Sequence, residues 1–392
     1  MLPLEGITVV SLEHAVAAPF ATRQLADLGA RVIKIERPGA GDFARGYDAR
    51  VKGMASHFVW INRSKESLTL NVKHPDGADI LHRLVAKADV LVQNLAPGAA
   101  SRLGLSYKDL NEANPSLIVC NISGYGADGP DRNRKAYDLL VQAEAGFLSV
   151  TGDPNTPAKA GISVADIAAG MYAYTNVLAA LIQRGRTGKG TNIDVSMLEA
   201  LAEWMGYPMY YSFDGASPPP RAGASHSTIF PYGPFAAGDG REVMLGLQNE
   251  REWLVFCDKV LGKQELANDP RFESNLARVA NKAALTEIIL AAFVSQTAED
   301  VIARLDKVGI ANARMNDMAG LWSHAQLEAR DRWRDVSTPV GPVAALLPPG
   351  GIGDLEPRMD AVPDIGEHNR SILTEIGFSP SEIDGLSKDG VI

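Results

Sequence analysis

At 392 residues the chain is long enough for two compact domains, each with its own core. Hydrophobic residues make up 46% and charged residues 22%, the balance of a folded globular protein, which excludes a disordered chain. A formal net charge of −9 argues against bulk binding to nucleic acid or an anionic membrane, while leaving room for a local basic pocket.

In chain order, residues 7–12 read as a buried strand, 18–28 as a helix and 31–35 as the next strand, with Gly29 where a helix C-cap glycine belongs. The alternation continues with a helix over 76–88, a strand over 90–93, a helix over 107–113 and a strand over 117–122. Helices over 138–147 and 164–184, a strand over 192–196 and a helix over 197–210 follow. Strands alternating with helices predict βαβ units: an α/β fold whose mostly parallel sheet is covered on both faces, with a smaller domain of different texture after it. That second texture comprises a strand over 243–247 and helices over 250–261, 282–295 and 297–308. A short C-terminal helix is predicted over 369–376. Composition shifts at the Ser/Pro/Gly-rich stretches place a large domain at 1–212, a linker or active-site loop at 213–232, and a small domain at 233–320. Residues 321–392 then form a linker and a C-terminal segment returning to the large domain.

The two cysteines, Cys120 and Cys257, each sit in an apolar run and read as buried free thiols. The N-terminus carries no basic-then-apolar leader pattern, and no run reaches the roughly 18 consecutive apolar residues of a membrane span, so a cytoplasmic protein is expected. None of the seven histidines stands at metal-ligand spacing, and no metal is expected. There is no GxSxG elbow, and the first strand-to-helix turn reads Glu13 to Phe20 (EHAVAAPF) without the GxGxxG of a dinucleotide site. What remains is side-chain chemistry on a bound, non-redox ligand.

Four cations fall just beyond predicted strand ends, where open α/β sheets bind ligands: Arg37, Lys73, Arg102 and Lys135. Together they would suit a nucleotide with several phosphates; singly, each reads as a solvated surface charge. Asp138 and Asp166 both open predicted helices and read first as helix N-terminal acids. The small residues around Asp166 would admit a ligand, and its place at a helix head predicts an ionised carboxylate available as a nucleophile.

At these residues the sequence resembles the class III CoA-transferases, the formyl-CoA transferase and carnitine CoA-transferase family, related to α-methylacyl-CoA racemase. The likeness rests on ordered blocks along nearly the whole chain. They include residues 4–10 (LEGITVV), 28–42 (LGARVIKIERPGAGD), 62–65 (NRSK), 88–98 (ADVLVQNLAPG), 135–138 (KAYD) and 188–191 (GKGT). The resemblance implies an interlocked, ring-like homodimer with a Rossmann-like large domain. It also implies a coenzyme A site built from Val16, Ala17, Arg37, Leu70, Asn71, Val72, Lys73, Asn94, Leu95, Ala96, Arg102, Lys135, Ala136, Tyr137 and Asp138. It places the catalytic aspartate on Asp166, with acyl-CoA and a small carboxylic acid as substrates.

A carboxylate attacking a thioester forms an aspartyl anhydride, which CoA thiolate converts to an aspartyl-CoA thioester; backbone donors at the helix head would serve the oxyanions. The related racemases carry His where this chain has Tyr137, a poor base near neutral pH, which favours acyl transfer over proton abstraction. A catalytically silent CoA-binding protein is the other alternative. The loop over 221–235 lacks the glycine-rich pattern of formyl-CoA transferases and looks more like relatives that move CoA from succinyl-CoA to itaconate, mesaconate, citramalate or malate. Arg45, Arg221 and His226 are candidate partners for a second substrate carboxylate.

Overall fold

The computed structural model describes all residues 1–392. They form two compact units. Residues 1–146, 160–206 and 327–392 make the first, and residues 147–159 and 207–326 the second.

The first unit is built on a six-stranded sheet of β1 (Thr8–Leu12), β2 (Arg31–Glu36), β3 (Lys65–Thr69), β4 (Val90–Gln93), β5 (Ile118–Ser123) and β6 (Asn192–Ser196). The strand order is β3-β2-β1-β4-β5-β6 and every adjacent pair is parallel. The order reverses between β1 and β4, where Val9 pairs with Val32 on one side and Val90 on the other. A parallel sheet hides both faces, which is why these strands are near-continuous apolar runs: Val9, Val10, Leu91 and Val119 are fully buried, each worth about 2 kcal/mol of transfer free energy. β3 departs from that rule. It opens on Lys65, Glu66 and Ser67, a polar start that leaves only Leu68 as an apolar signal within the strand.

Helices α1 (Ala17–Asp27), α2 (Pro75–Ala86), α3 (Asp138–Glu144) and α4 (Val164–Thr187) cover this sheet. α1 and α4 meet along small residues, and at Gly170 an added Cβ would lie 2.6 Å from the Ala17 carbonyl oxygen. α4 is long and apolar enough to cross a membrane by length and composition. Here it packs on α1 and α3, and Arg184 in its last turn pairs with Asp89. The helix predicted over 138–147 ends at Glu144, with Gly146 at a φ of 75°. The one predicted over 197–210 breaks at Met205 into Met197–Trp204 and Gly206–Tyr211.

The C-terminal residues tie themselves to the open edge of β3. The Ser67 and Thr69 N–H groups donate to His368 Nδ1 and Asn369 Oδ1, and Asn71 N–H donates to the Val391 carbonyl. An edge so capped cannot template pairing with another chain. Deeper in the unit, Arg63 makes a bidentate pair with Asp27 (2.8 and 2.7 Å), which also takes Arg23 at 3.1 Å.

The second unit holds a three-stranded antiparallel sheet in which Glu242–Gly246 lies between Tyr232–Ala236 and Ala311–Arg314. Trp253, Phe256, Phe272 and Phe293 fill its core. The helix predicted over 250–261 is continuous but widens from α (Glu250–Val255) to a π-helical turn (Phe256–Leu261). Buried Arg278 there neutralises Glu250 at 2.8 and 2.9 Å and lies over the Trp253 ring.

Replacing Asp27 by alanine strands Arg23 and Arg63 without a counter-charge in the interior. Chemical denaturation of Asp27→Ala is expected to give a loss of about 3–5 kcal/mol.

Candidate active site

The switch between β1 and β4 opens a cavity of about 560 Å³ at the carboxyl ends of the strands. Leu12, Ile35, Leu70, Val72 and Leu95 give it apolar walls, and Arg37, Lys73 and Arg102 line it with positive charge. Its one acidic lining residue, Glu36, is already consumed: the carboxylate accepts from Arg45, from Ser67 Oγ and from Asp42 N–H. An apolar chamber with three cations suits a ligand that is part hydrophobic chain and part phosphate.

Six of the residues implied for coenzyme A line this cavity: Arg37, Leu70, Val72, Lys73, Leu95 and Arg102. Val16, Ala17, Asn71, Asn94, Ala96 and the run from Lys135 to Asp138 do not. Several of these shape its borders instead. Asn94 clamps the first turn by accepting from His14 N–H and donating to the His14 carbonyl, both at 2.9 Å. Ala15, at a φ of 60°, donates its N–H to Asp42 at 3.2 Å, and Val16 and Ala17 are buried behind it. Asn71 accepts from Lys73 N–H, and Ala96 accepts from Ala99 N–H. Lys135 is exposed, and Ala136 packs on Gly124, where a Cβ would stand 2.2 Å from the alanine's own.

Beneath the turn lies a cluster of buried charges. Glu13 Oε1 accepts from Lys65 at 2.7 Å and Lys34 at 3.3 Å, Lys34 reaches Asp42 at 2.8 Å, and all four side chains are buried. Burial opposes ionisation of Glu13, yet Lys65 and Lys34 hold its carboxyl down at about 2. Burial presses Lys65 down to about 7 against the pull of Glu13.

Asp166 lies in the first turn of α4. Burial, with Asp138 close by, pushes its carboxyl up to about 7, so the expectation of a fully ionised aspartate is corrected. The reason is geometric. Ser163, the N-cap, makes no capping bond, and Asp138 caps the helix in its place: Oδ1 accepts from Ala165 N–H at 2.8 Å and Asp166 N–H at 3.2 Å. Val164 N–H bonds to the Ile162 carbonyl, so three of the four head donors are taken, and Ile167 N–H makes the first intrahelical bond, to the Ser163 carbonyl. Of the helix-head donors expected to serve an oxyanion, those of Val164, Ala165 and Asp166 are thus already bonded.

Three aromatic residues that nothing in the sequence marks run from the cavity toward Asp166. His14 lines the cavity and stacks on Phe43 at 5.3 Å; Phe43 tilts against Tyr47 at 5.8 Å. Burial, followed by the charges of Asp42 and Asp166 and by Tyr137, raises the Tyr47 phenol to about 12. None of the three belongs to a sequence pattern, because an aromatic run assembled from a turn and a short 3₁₀ segment leaves no period.

The proposed carboxylate partners are otherwise engaged. Arg45 makes a bidentate pair with Glu36 (2.8 and 2.7 Å), reaches the Pro363 carbonyl and lies 3.7 Å over Phe58, so its charge is spent on structure. Arg221 donates to the Asp153 and Pro154 carbonyls of its own unit. His226 Nδ1 accepts from Thr228 and Ile229 N–H and its ring stacks on Tyr232.

The model of CoA-transferase family III matches residues 4–369. The chain belongs to CoA-transferase family III. Its family relatives include the succinyl-CoA:glutarate CoA-transferase of Mus musculus, 34% identical over 399 residues that cover 100% of this chain and 91% of that one. The acetyl-CoA:oxalate CoA-transferase of Acetobacter aceti is 38% identical over 332 residues, covering 84% and 85%. Among solved structures, a CAIB/BAIF family protein from Brucella suis matches with a TM-score of 0.85 and 34% identity over 96% of this chain and 99% of that chain. The protein is thus a CoA-transferase, an enzyme whose substrates are CoA thioesters.

The raised Asp166 carboxyl has a cost in stability. Its folded value lies above the ordinary 3.8, so the native state holds the proton more tightly, and stability falls as pH rises from about 4 to about 7. Asp166→Asn removes that penalty. Thermal unfolding is expected to show the variant melting above the wild type at pH 8 and level with it at pH 4.

Proposed function

We propose that the enzyme moves CoA from succinyl-CoA to a C4–C5 dicarboxylate, through covalent intermediates on Asp166. The observation that carries this reading is a half-buried carboxyl of raised basicity close to Tyr47, the end of the His14–Phe43–Tyr47 aromatic run that starts in a cation-lined cavity. Arg37, Lys73 and Arg102 would take the phosphates of the CoA nucleotide, and the apolar wall would take the pantetheine chain.

Asp166 in its ionised form attacks the succinyl carbonyl carbon; the C–S bond breaks, leaving a mixed anhydride and CoA thiolate. The thiolate attacks the aspartyl carbonyl, releasing succinate and leaving an aspartyl-CoA thioester. The acceptor carboxylate then displaces the thiolate to form a new anhydride with Asp166. Thiolate attack on the acceptor's carbonyl yields the new acyl-CoA and restores the aspartate. Each step exchanges one activated acyl bond for another, so no ATP is consumed. A carboxyl that titrates near 7 is partly ionised at neutral pH and, as the more basic carboxylate, the stronger nucleophile.

The dicarboxylate class draws support from the glutarate enzyme, which aligns over the full chain, and from the loop over 221–235. Itaconate, mesaconate, citramalate, malate and glutarate are the acids that fit this class. The working form is proposed as a homodimer, and exposed Leu139, Leu140, Ile162 and Ile182 offer apolar surface for such a contact.

Purified enzyme incubated with succinyl-CoA and each of these acids, with oxalate as an outgroup, is expected to yield the corresponding acyl-CoA by mass spectrometry. Asp166→Ala should retain CoA binding and lose exchange of label between succinyl-CoA and free succinate. Transfer at the wild-type rate by that variant rules out the covalent route. Rapid α-deuteration in heavy water without acyl transfer assigns a racemase instead.

A further inference from the structure

One carboxylate beside the nucleophile has a role that neither phosphate binding nor the chemical steps account for. Asp138 opens α3 and Asp166 opens α4, and the two helices are held together at their heads by the Asp138 side chain. Its Oδ1 takes two N–H groups of α4, including that of Asp166 itself. Its Oδ2 accepts from Gln142 Nε2 at 2.6 Å, one turn along the same helix. Gln142 is fully buried and is fixed in turn by Ala160 N–H, which donates to its Oε1 at 2.9 Å. Both oxygens of Asp138 are therefore committed, and the carboxylate can neither swing away nor turn without breaking three hydrogen bonds.

We propose that Asp138 is the positioning residue of the nucleophile, its clamped carboxylate directing Asp166 and deciding the protonation state in which the free enzyme rests. The proposal rests on Asp166 being the nucleophile. Elements packed against α4 offer other charges: Arg23 and Asp27 on α1, Glu144 on α3, Glu199 and Glu203 on the helix Met197–Trp204, and Asp194 on β6. Tyr47 and Tyr137 also stand near. Asp138 is the charge that acts on Asp166, in the same sense as burial. Two opposed effects meet there. Accepting the Asp166 N–H fixes the backbone from which the nucleophile projects, while the negative charge discourages a second carboxylate beside it. The enzyme thereby holds Asp166 partly protonated until the ligand-bound site offsets that charge.

The test separates the cap from the charge. Asp138→Asn keeps an acceptor oxygen for α4 and removes the charge; Asp138→Ala removes both. The holoenzyme chain carrying each change is followed by carbon-13 titration of the Asp166 carboxyl, assigned against Asp166→Asn, and by the pH dependence of kcat/KM with succinyl-CoA. In Asp138→Asn the Asp166 midpoint and the acid limb of kcat/KM are expected to move about one pH unit lower together. In Asp138→Ala the midpoint falls similarly and kcat drops at least about tenfold below that of the asparagine variant. An unmoved midpoint in Asp138→Asn overturns the proposal, as does equal kcat in two folded variants. If circular dichroism shows Asp138→Ala unfolded, the titration of Asp138→Asn decides alone. Survival of transfer in Asp166→Ala refutes the nucleophile itself, a failure distinguishable because the carboxyl titration needs no turnover.

Discussion

Two lysines inside the protein, Lys34 and Lys65, converge on one oxygen of Glu13, and the geometry of the ligand cavity hangs from that contact. The three residues come from β2, β3 and the end of β1. Asp42, on the loop after β2, completes the charge balance and holds the N–H of Ala15 in the turn that opens the cavity. Replacing such a cluster wholesale by apolar side chains can be neutral for stability, whereas removing one member leaves a buried charge unpaired. Its value here is directional. Hydrogen-bonded charges fix the ends of three strands and one loop to within the tolerance of a hydrogen bond, which apolar packing alone would not.

The same economy of charge sorts the arginines into two groups. Arg23, Arg45, Arg63 and Arg278 are bound to carboxylates and carbonyls inside their own units, and their charge is not available to a ligand. Arg37 and Arg102 face the cavity. Of the arginines considered as partners for a substrate carboxylate, Arg45 is neutralised by Glu36, whereas Arg221 meets only the Asp153 and Pro154 carbonyls.

Asp166, the proposed nucleophile, is kept at odds with the fold around it. A helix head ordinarily stabilises a carboxylate. Here the head donors are given to Asp138, so Asp166 receives the burial without the full benefit, and its proton is held to about 7. Local stability is sacrificed for a carboxyl of raised basicity, a conflict expected at functional positions rather than in the scaffold.

Much of the scaffold was legible in the chain. Period and composition located β4 and β6 to the residue, because β4 is a buried apolar run and β6, at the sheet edge, alternates exposed and buried residues. The ordered blocks from 4–10 to 188–191 carried the family, and with it Asp166 as the candidate nucleophile. Other features stayed hidden because they are relations between distant residues. Nothing along the chain marks Lys65 as a buried charge until Glu13, 52 residues earlier, meets it in the interior. Arg45 reads as a free cation until Glu36 closes on it. Above all, the sequence determined that an acid stands at the head of α4. The tertiary structure alone decided its charge, because a pKa depends on burial and on neighbours, and Asp138 becomes a neighbour only when two helix heads are brought together.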